Sequence, residues 1–402
     1  MSENIHIILF ILLICDSFQK ADVYFTQYIT KSNIVKLFKK LNVSLTGNLG
    51  LKVHSGETGG KYFLTPDFLQ KIYDYTKGTF IECNTAYRGG RHTTERHKNL
   101  LKDHGWLENG RRFVIMDENP SDDFNITIDD PVMIEENIVG GHLKDFNSCL
   151  VLSHFKGHPM GGFGAALKQL SIGFASQAGK TWIHTAGKET NWTKMFQNKA
   201  NQENFTAAMG DAAASIVKYF RDRGGIVFIT VLANISLYCD CMGGRQPEPK
   251  IHDMGIVAST DPIALDRACL DMIVNHTDEG TEELTEQIER LSGENIIYVA
   301  EKHKIGSQGY NFINITSETS PYDEDDDGNN HSDNDDNKDN DNENNKNDSP
   351  TGVALTVILV SVIIIIITLA ILGSYFYMKK KKKGEEIGLI LEEPDAEEAK
   401  VD

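Results

Sequence analysis

Residues Ser148–Gly173 read SCLVLSHFKGHPMGGFGAALKQLSIG, an apolar run feeding directly into a stretch crowded with histidine, lysine and glycine. The first part reads as a buried strand ending at Ser153, because an uninterrupted apolar run of this length suits a strand covered on both faces. HFKGHPMGG then reads as a loop and FGAALKQLSIGFA as a helix, with the helix amino end and the loop amides turned toward a ligand. Strand, loop and helix in this order form the unit of a parallel α/β sheet.

Outward from that unit the same alternation recurs. GNLGLKVHS, GTFIECNTAY, RRFVIMDE, GGIVFITVLANIS and MGIVAST read as further strands. TPDFLQKIYDYTKG, TTERHKNLLKDHGW, NFTAAMGDAAASIVKYFRDRG and DPIALDRACLDMIVNH read as helices, the second with Thr93 as cap and the last with Asp261 as cap and Pro262 in its first turn. The expected fold is therefore α/β, with a largely parallel sheet flanked by helices.

Ligands of such sheets gather beyond the carboxyl ends of the strands. Polar groups follow five of the apolar runs: His54 to Glu57, the segment from Glu82 through YRGGRH, His154 to His158, Cys239 to Cys241, and Asp261. A parallel sheet would bring them to one face. His154, Lys156, His158 and Lys168, with His54 and Glu57, are the candidates for acid, base or electrostatic roles. Arg88 and Arg91 flank a glycine pair and suit bidentate recognition of a carboxylate or phosphate. Gly161, Gly162 and Gly164 would let backbone approach that ligand closely.

Cys239 and Cys241 are two apart, so in an extended segment both sulfurs point one way and Asp240 the other. With His158 they would make a zinc or iron site, and a ring nitrogen of His154 or His158 is expected within about 8 Å of a sulfur. A disulfide or simple packing are the other readings of the pair. Cys149 and Cys269 lie in apolar contexts and read as buried free thiols.

The blocks KVHSGE, YRGGRHTTERHKNLLKDHGW, LVLSHFKGHPMGGFGAALKQLSIG, ASQAGKTWIH, YCDC and DMGIVASTDPIALDRAC occur in this order between Leu51 and Met272. In that order they resemble the family named for domain of unknown function 362. Many members of that family carry inserted cysteine motifs for ferredoxin-type iron-sulfur clusters. This chain has no C-x-x-C-x-x-C run and carries ETNWTKMFQNKANQENFTAAMGDAA at that place, so no such cluster is expected. Ala165 and Gln169 stand where members usually show glycine and asparagine, which puts a ligand contact of the family in question.

The ends of the chain suggest a membrane setting. Residues 1–21 contain the apolar run IHIILFILLIC and read as a signal peptide, and 352–378 read as a transmembrane helix followed by five lysines, Lys379–Lys383. The resulting expectation is a single-pass type I membrane protein: a lumenal or extracellular domain over 22–320, a disordered Asp/Asn-rich stalk over 321–351, and a cytoplasmic tail over 379–402. The net charge of -18 is concentrated in the stalk, where 12 acidic residues face 2 lysines. Nine N-glycosylation sequons precede the apolar segment, of which Asn234 reads as too buried to be used. No basic face outside the terminal lysines points to nucleic acid.

Two functional readings follow. The first is a metal- or redox-dependent enzyme acting on a small anionic substrate. The alternative is a non-catalytic surface binding or adhesion protein built on an inherited enzyme fold.

Overall fold

A computed structural model describes residues 20–323. Its twelve strands are β1 (Ala21–Thr26), β2 (Leu49–Lys52), β3 (Thr79–Glu82), β4 (Phe113–Ile115), β5 (Phe124–Thr127), β6 (Glu136–Val139), β7 (Ser148–His154), β8 (Lys156–His158), β9 (Gly162–Gly164), β10 (Ile226–Leu232), β11 (Gly255–Ser259) and β12 (Tyr310–Asn314). Eight of them form one sheet in the order β12-β1-β11-β10-β7-β2-β3-β4. Every neighbouring pair is parallel except the two made by β11.

The centre of this sheet is β7, and all seven of its residues are buried, as are those of β10. Its side chains alternate between two hydrophobic clusters. Cys149 and Val151 join one face with Phe228, Leu167 and Ala212, while Leu150 and Leu152 join the other with Ile34, Leu69 and Trp106. Helices therefore cover both faces, which explains why the strand sequence is apolar throughout rather than alternating.

The helices begin where their caps dictate. Thr93 accepts from Arg96 N ahead of Thr94–Asp103, and Asp261 accepts from Ile263 N and Ala264 N ahead of Pro262–Val274. The loop expected after β7 is instead an antiparallel hairpin of β8 and β9, and the helix that follows is shorter than expected, Ala166–Ser171. Gly157 explains the hairpin's seat: a Cβ there would lie 2.3 Å from the Leu237 carbonyl oxygen, so only glycine admits the close approach.

Asp261 is a second departure. Because β11 runs against its neighbours, its carboxyl end lies at the opposite edge from those of β2, β3, β7 and β10. Asp261 lines a separate cleft with Arg221 and Asp22. Asn234, expected to be buried, is exposed in a turn after β10 with φ 50°.

The membrane reading is corrected. The transmembrane helix over 352–378, the tail over 379–402, the stalk beyond residue 323 and the signal peptide up to residue 19 lie outside the described residues. Among the described residues no helix is long and apolar enough to cross a membrane. The longest, Gln202–Arg221 with 20 residues, carries Glu203, Asp211, Lys218 and Arg221 and is packed into the domain. The described fold is α/β with a mostly parallel sheet, and among the described residues no helix supports the membrane partner and single-pass localisation that the sequence suggested.

Candidate functional site

Beyond the carboxyl ends of β2, β3, β7 and β10 lies a cavity of about 350 Å³. His54, Glu82, Arg88, His158, Lys168 and Cys241 all line it, each delivered by a different segment or turn. Convergence at strand ends thus holds for four of the five expected polar groups.

The floor is a network of buried charge. Arg91 Nη1 donates to Glu82 Oε1 at 2.7 Å and Nη2 donates to the Tyr87 hydroxyl at 3.0 Å, while Arg91 Nε lies 3.6 Å from Glu57 Oε2. Glu82 also accepts from Ser55 N at 3.1 Å and faces His97 Nε2 at 3.3 Å. Burial alone would raise the Glu82 pKa, but Arg91 and His97 hold it well below the usual carboxylate range. Arg91 thus pairs with the protein's own carboxylates while also lining the cavity. Glu57 accepts from Gly90 N at 2.5 Å and serves the same network from the adjoining cleft.

A second buried cluster lies behind the hairpin. Asp240 takes Lys156 Nζ at 2.5 Å and His154 Nδ1 at 3.1 Å, and His154 Nε2 reaches the Ala233 carbonyl at 2.6 Å. Burial would push the Asp240 pKa up, yet Lys156 and His154 hold it well below the carboxylate range. Neither His154 nor Lys156 lines the cavity. They fix the segment that carries the two cysteines.

The groups left open to the cavity are of a different kind. Burial and the neighbouring Lys156 charge push the Lys168 amine down to about 7, and its Nζ has no hydrogen bond or ion pair among the described residues. Arg88 and Arg245 are exposed at the rim, also without an ion pair among those residues, and both reach into a wider cleft of about 760 Å³ beside it. Gln169 Nε2 is buried with no hydrogen-bond partner. Burial and the Arg91 charge keep His54 neutral, its pKa well below the usual histidine value.

The matching family model is that of a domain of unknown function, DUF362, over residues 49–271. The chain belongs to this family. A Thermotoga maritima protein of known structure is 14% identical, covers 68% of this chain and 58% of its own, and has a TM-score of 0.34. The lactate racemase apoprotein from Thermoanaerobacterium thermosaccharolyticum is 12% identical, with 63% and 57% covered and a TM-score of 0.34. The DUF362 chain spans less than two thirds of either structure's length. No curated protein matches it.

In this DUF362 domain Cys239 and Cys241 are joined as a disulfide, and a ring nitrogen of His158 lies within 4.8 Å of both sulfurs. The structure thus brings together the three residues singled out as a metal set, while His154 is turned away to Asp240. The donor chemistry suits a metal poorly in this state. The sulfurs are bonded to each other, and His158 Nδ1 accepts from Met160 N at 3.2 Å and Gly161 N at 2.9 Å. That pattern assigns the proton of the neutral ring to Nε2, leaving no free imidazole lone pair. Burial and the Lys168 charge keep that ring neutral.

The three glycines singled out as ligand contacts do not line the cavity. Gly161 holds His158 through its amide, Gly162 has φ +78° at the hairpin, and Gly164 packs on the stems of Lys168 and Lys156. The expected anion site at the helix amino end is filled by the protein itself, since Ala166 N and Leu167 N both donate to Asp266 at 2.9 Å. Sequence reasoning marked Gln169 only as a departure from the family's asparagine, and missed Lys180, His184 and Arg245 as lining residues. Glu82 carried a visible signal, as a carboxylate closing an apolar strand.

Proposed function

We propose that this domain is an enzyme acting on a small anionic substrate, a carboxylate or phosphate, bound in the cavity at the strand ends. The observation that carries this reading is the set of unspent donors there. Lys168, Arg88 and Arg245 have no carboxylate partner among the described residues, and Gln169 Nε2 is a buried donor without an acceptor. A buried polar group left unpaired costs stability, so a ligand oxygen at this place would relieve that cost. Lys168, with a pKa of about 7, is suited to hold or release a proton near neutral pH.

Calorimetric titration of the full chain with small carboxylates, with inorganic phosphate and with neutral analogues tests the reading. Binding of an anion that weakens at least tenfold in Lys168→Met is the expected result. Equal binding of neutral and anionic analogues, or no loss in the variant, would overturn it. Conversion of a bound anion to product separates an enzyme from a binding domain sharing the same cavity.

A further inference from the structure

We infer that the Cys239–Cys241 disulfide is a two-electron exchange centre whose substrate is a small thiol bearing a carboxylate. The substrate's charge rests on the anion-binding reading above; the exchange itself does not. A bond between residues two apart closes almost no loop, so it removes little entropy from the unfolded chain and contributes little as a staple. The bond instead lies at the edge of a cavity. Cys241 is half-buried and lines both the cavity and the wider cleft, whereas Cys239 is 1% exposed beneath it. The two sulfurs are therefore unequal: one meets incoming molecules and the other is placed to leave. His158 lies within 4.8 Å of both, and with Nδ1 taken by two amides its Nε2–H is the ring group left to serve a sulfur. Arg88 and Arg245 stand over the approach.

The step balances as ordinary thiol–disulfide exchange. A substrate thiolate attacks Cys241 Sγ, a substrate–Cys241 bond forms, and the Cys239–Cys241 bond breaks with its electron pair left on Cys239. The His158 Nε2–H stabilises that thiolate by hydrogen bonding, and the thiolate takes its proton from solvent. A second substrate thiolate attacks the substrate sulfur of the mixed disulfide and releases Cys241. Two thiols are oxidised to one disulfide and the cysteine pair is reduced to a dithiol. A different small disulfide, reacting in reverse, restores the bond.

The test uses the full native chain in buffers of reduced and oxidised glutathione, a thiol with two carboxylates, followed by thiol alkylation and peptide-resolved mass spectrometry. The 239–241 peptide should pass from no label to two labels as the buffer becomes reducing. Cys239→Ser should trap glutathione on Cys241 as a stable adduct. The reaction should be about tenfold faster with glutathione than with neutral 2-mercaptoethanol, after correction for thiolate fraction, and the advantage should vanish in high salt. A peptide that stays unlabelled in every native buffer would overturn the exchange, as would stoichiometric zinc uptake that blocks labelling after reduction. Exchange without the charge preference would overturn the carboxylate-bearing substrate and the anion site while leaving the exchange centre standing. Anion binding by calorimetry without exchange would overturn this inference alone.

Discussion

Lys156 Nζ donates to Asp240 Oδ2 at 2.5 Å, and both side chains are buried, with Asp240 seated between the two bonded cysteines. The pair ties the hairpin of β8 and β9 to the segment after β10, so it sets the distance between His158 and the sulfurs. Removing one partner leaves a buried charge without compensation, which costs about 3–5 kcal/mol. Lys156→Met should lower urea-unfolding stability by that order, and Lys156→Met combined with Asp240→Asn should cost less than the two single changes added together. Strict additivity would mean the contact carries no coupling. The Asp240 pKa is depressed, so its contribution is present above about pH 4 and is lost as pH falls toward the folded value.

Lys168 gives the cavity its pH dependence. With a folded pKa of about 7, its amine is charged below that pH and neutral above it, whereas Arg88 and Arg245 stay charged throughout. Anion affinity should therefore fall between pH 6 and pH 8.5, by roughly tenfold for the loss of one nearby charge. Lys168→Met should show weak binding at pH 6 and a flat profile. A wild-type profile that is equally flat over this range would remove Lys168 from the site.

Much of the frame was legible because β7 and β10 are continuous apolar runs of strand length. The strands β1 and β12 at one end of the sheet were not, since their residues are mostly half-buried or exposed and carry no clean period. The β8–β9 hairpin was hidden because glycine and proline read locally as loop, and its seat is a long-range contact with Leu237. In the site, His54, His158, Lys168 and Cys241 were recoverable from their places after strands or in the glycine-rich block. The ligand role read for Arg91 rested on its guanidinium, and the two carboxylates that also fold against it could not be seen in sequence.

The Arg91–Glu82 pair should behave as structure rather than as binding surface. Glu82→Gln removes the carboxylate nearest the guanidinium, leaving Glu57 at 3.6 Å as the remaining partner. A loss of about 3–5 kcal/mol in urea unfolding is expected. Anion affinity of the folded fraction should change by less than about threefold, because Arg91, although it lines the cavity, stays tied to the Tyr87 hydroxyl and beside Glu57. A stable Glu82→Gln protein with tenfold altered anion affinity would return Arg91 to the ligand.

Asp266 caps the helix Ala166–Ser171 from 100 residues away in sequence, taking Ala166 N on one oxygen and Leu167 N on the other. Asp266→Ala would orphan two buried amides at about 1–3 kcal/mol each. The carboxyl also titrates unusually, because burial pushes its pKa up to about 7. The native state then holds a proton that the unfolded chain releases near pH 4, so this group's stabilisation is present below about pH 4 and is lost as pH rises through 7. Asp266→Asn keeps the shape and one carbonyl acceptor but cannot titrate. The stability of the wild type relative to Asp266→Asn should therefore decline from pH 4 to pH 7, by up to about 1.4 kcal/mol per pH unit. Urea unfolding of both proteins at pH 5, 6 and 7 measures that difference, and a constant gap across the three would show that Asp266 enters the fold already ionised.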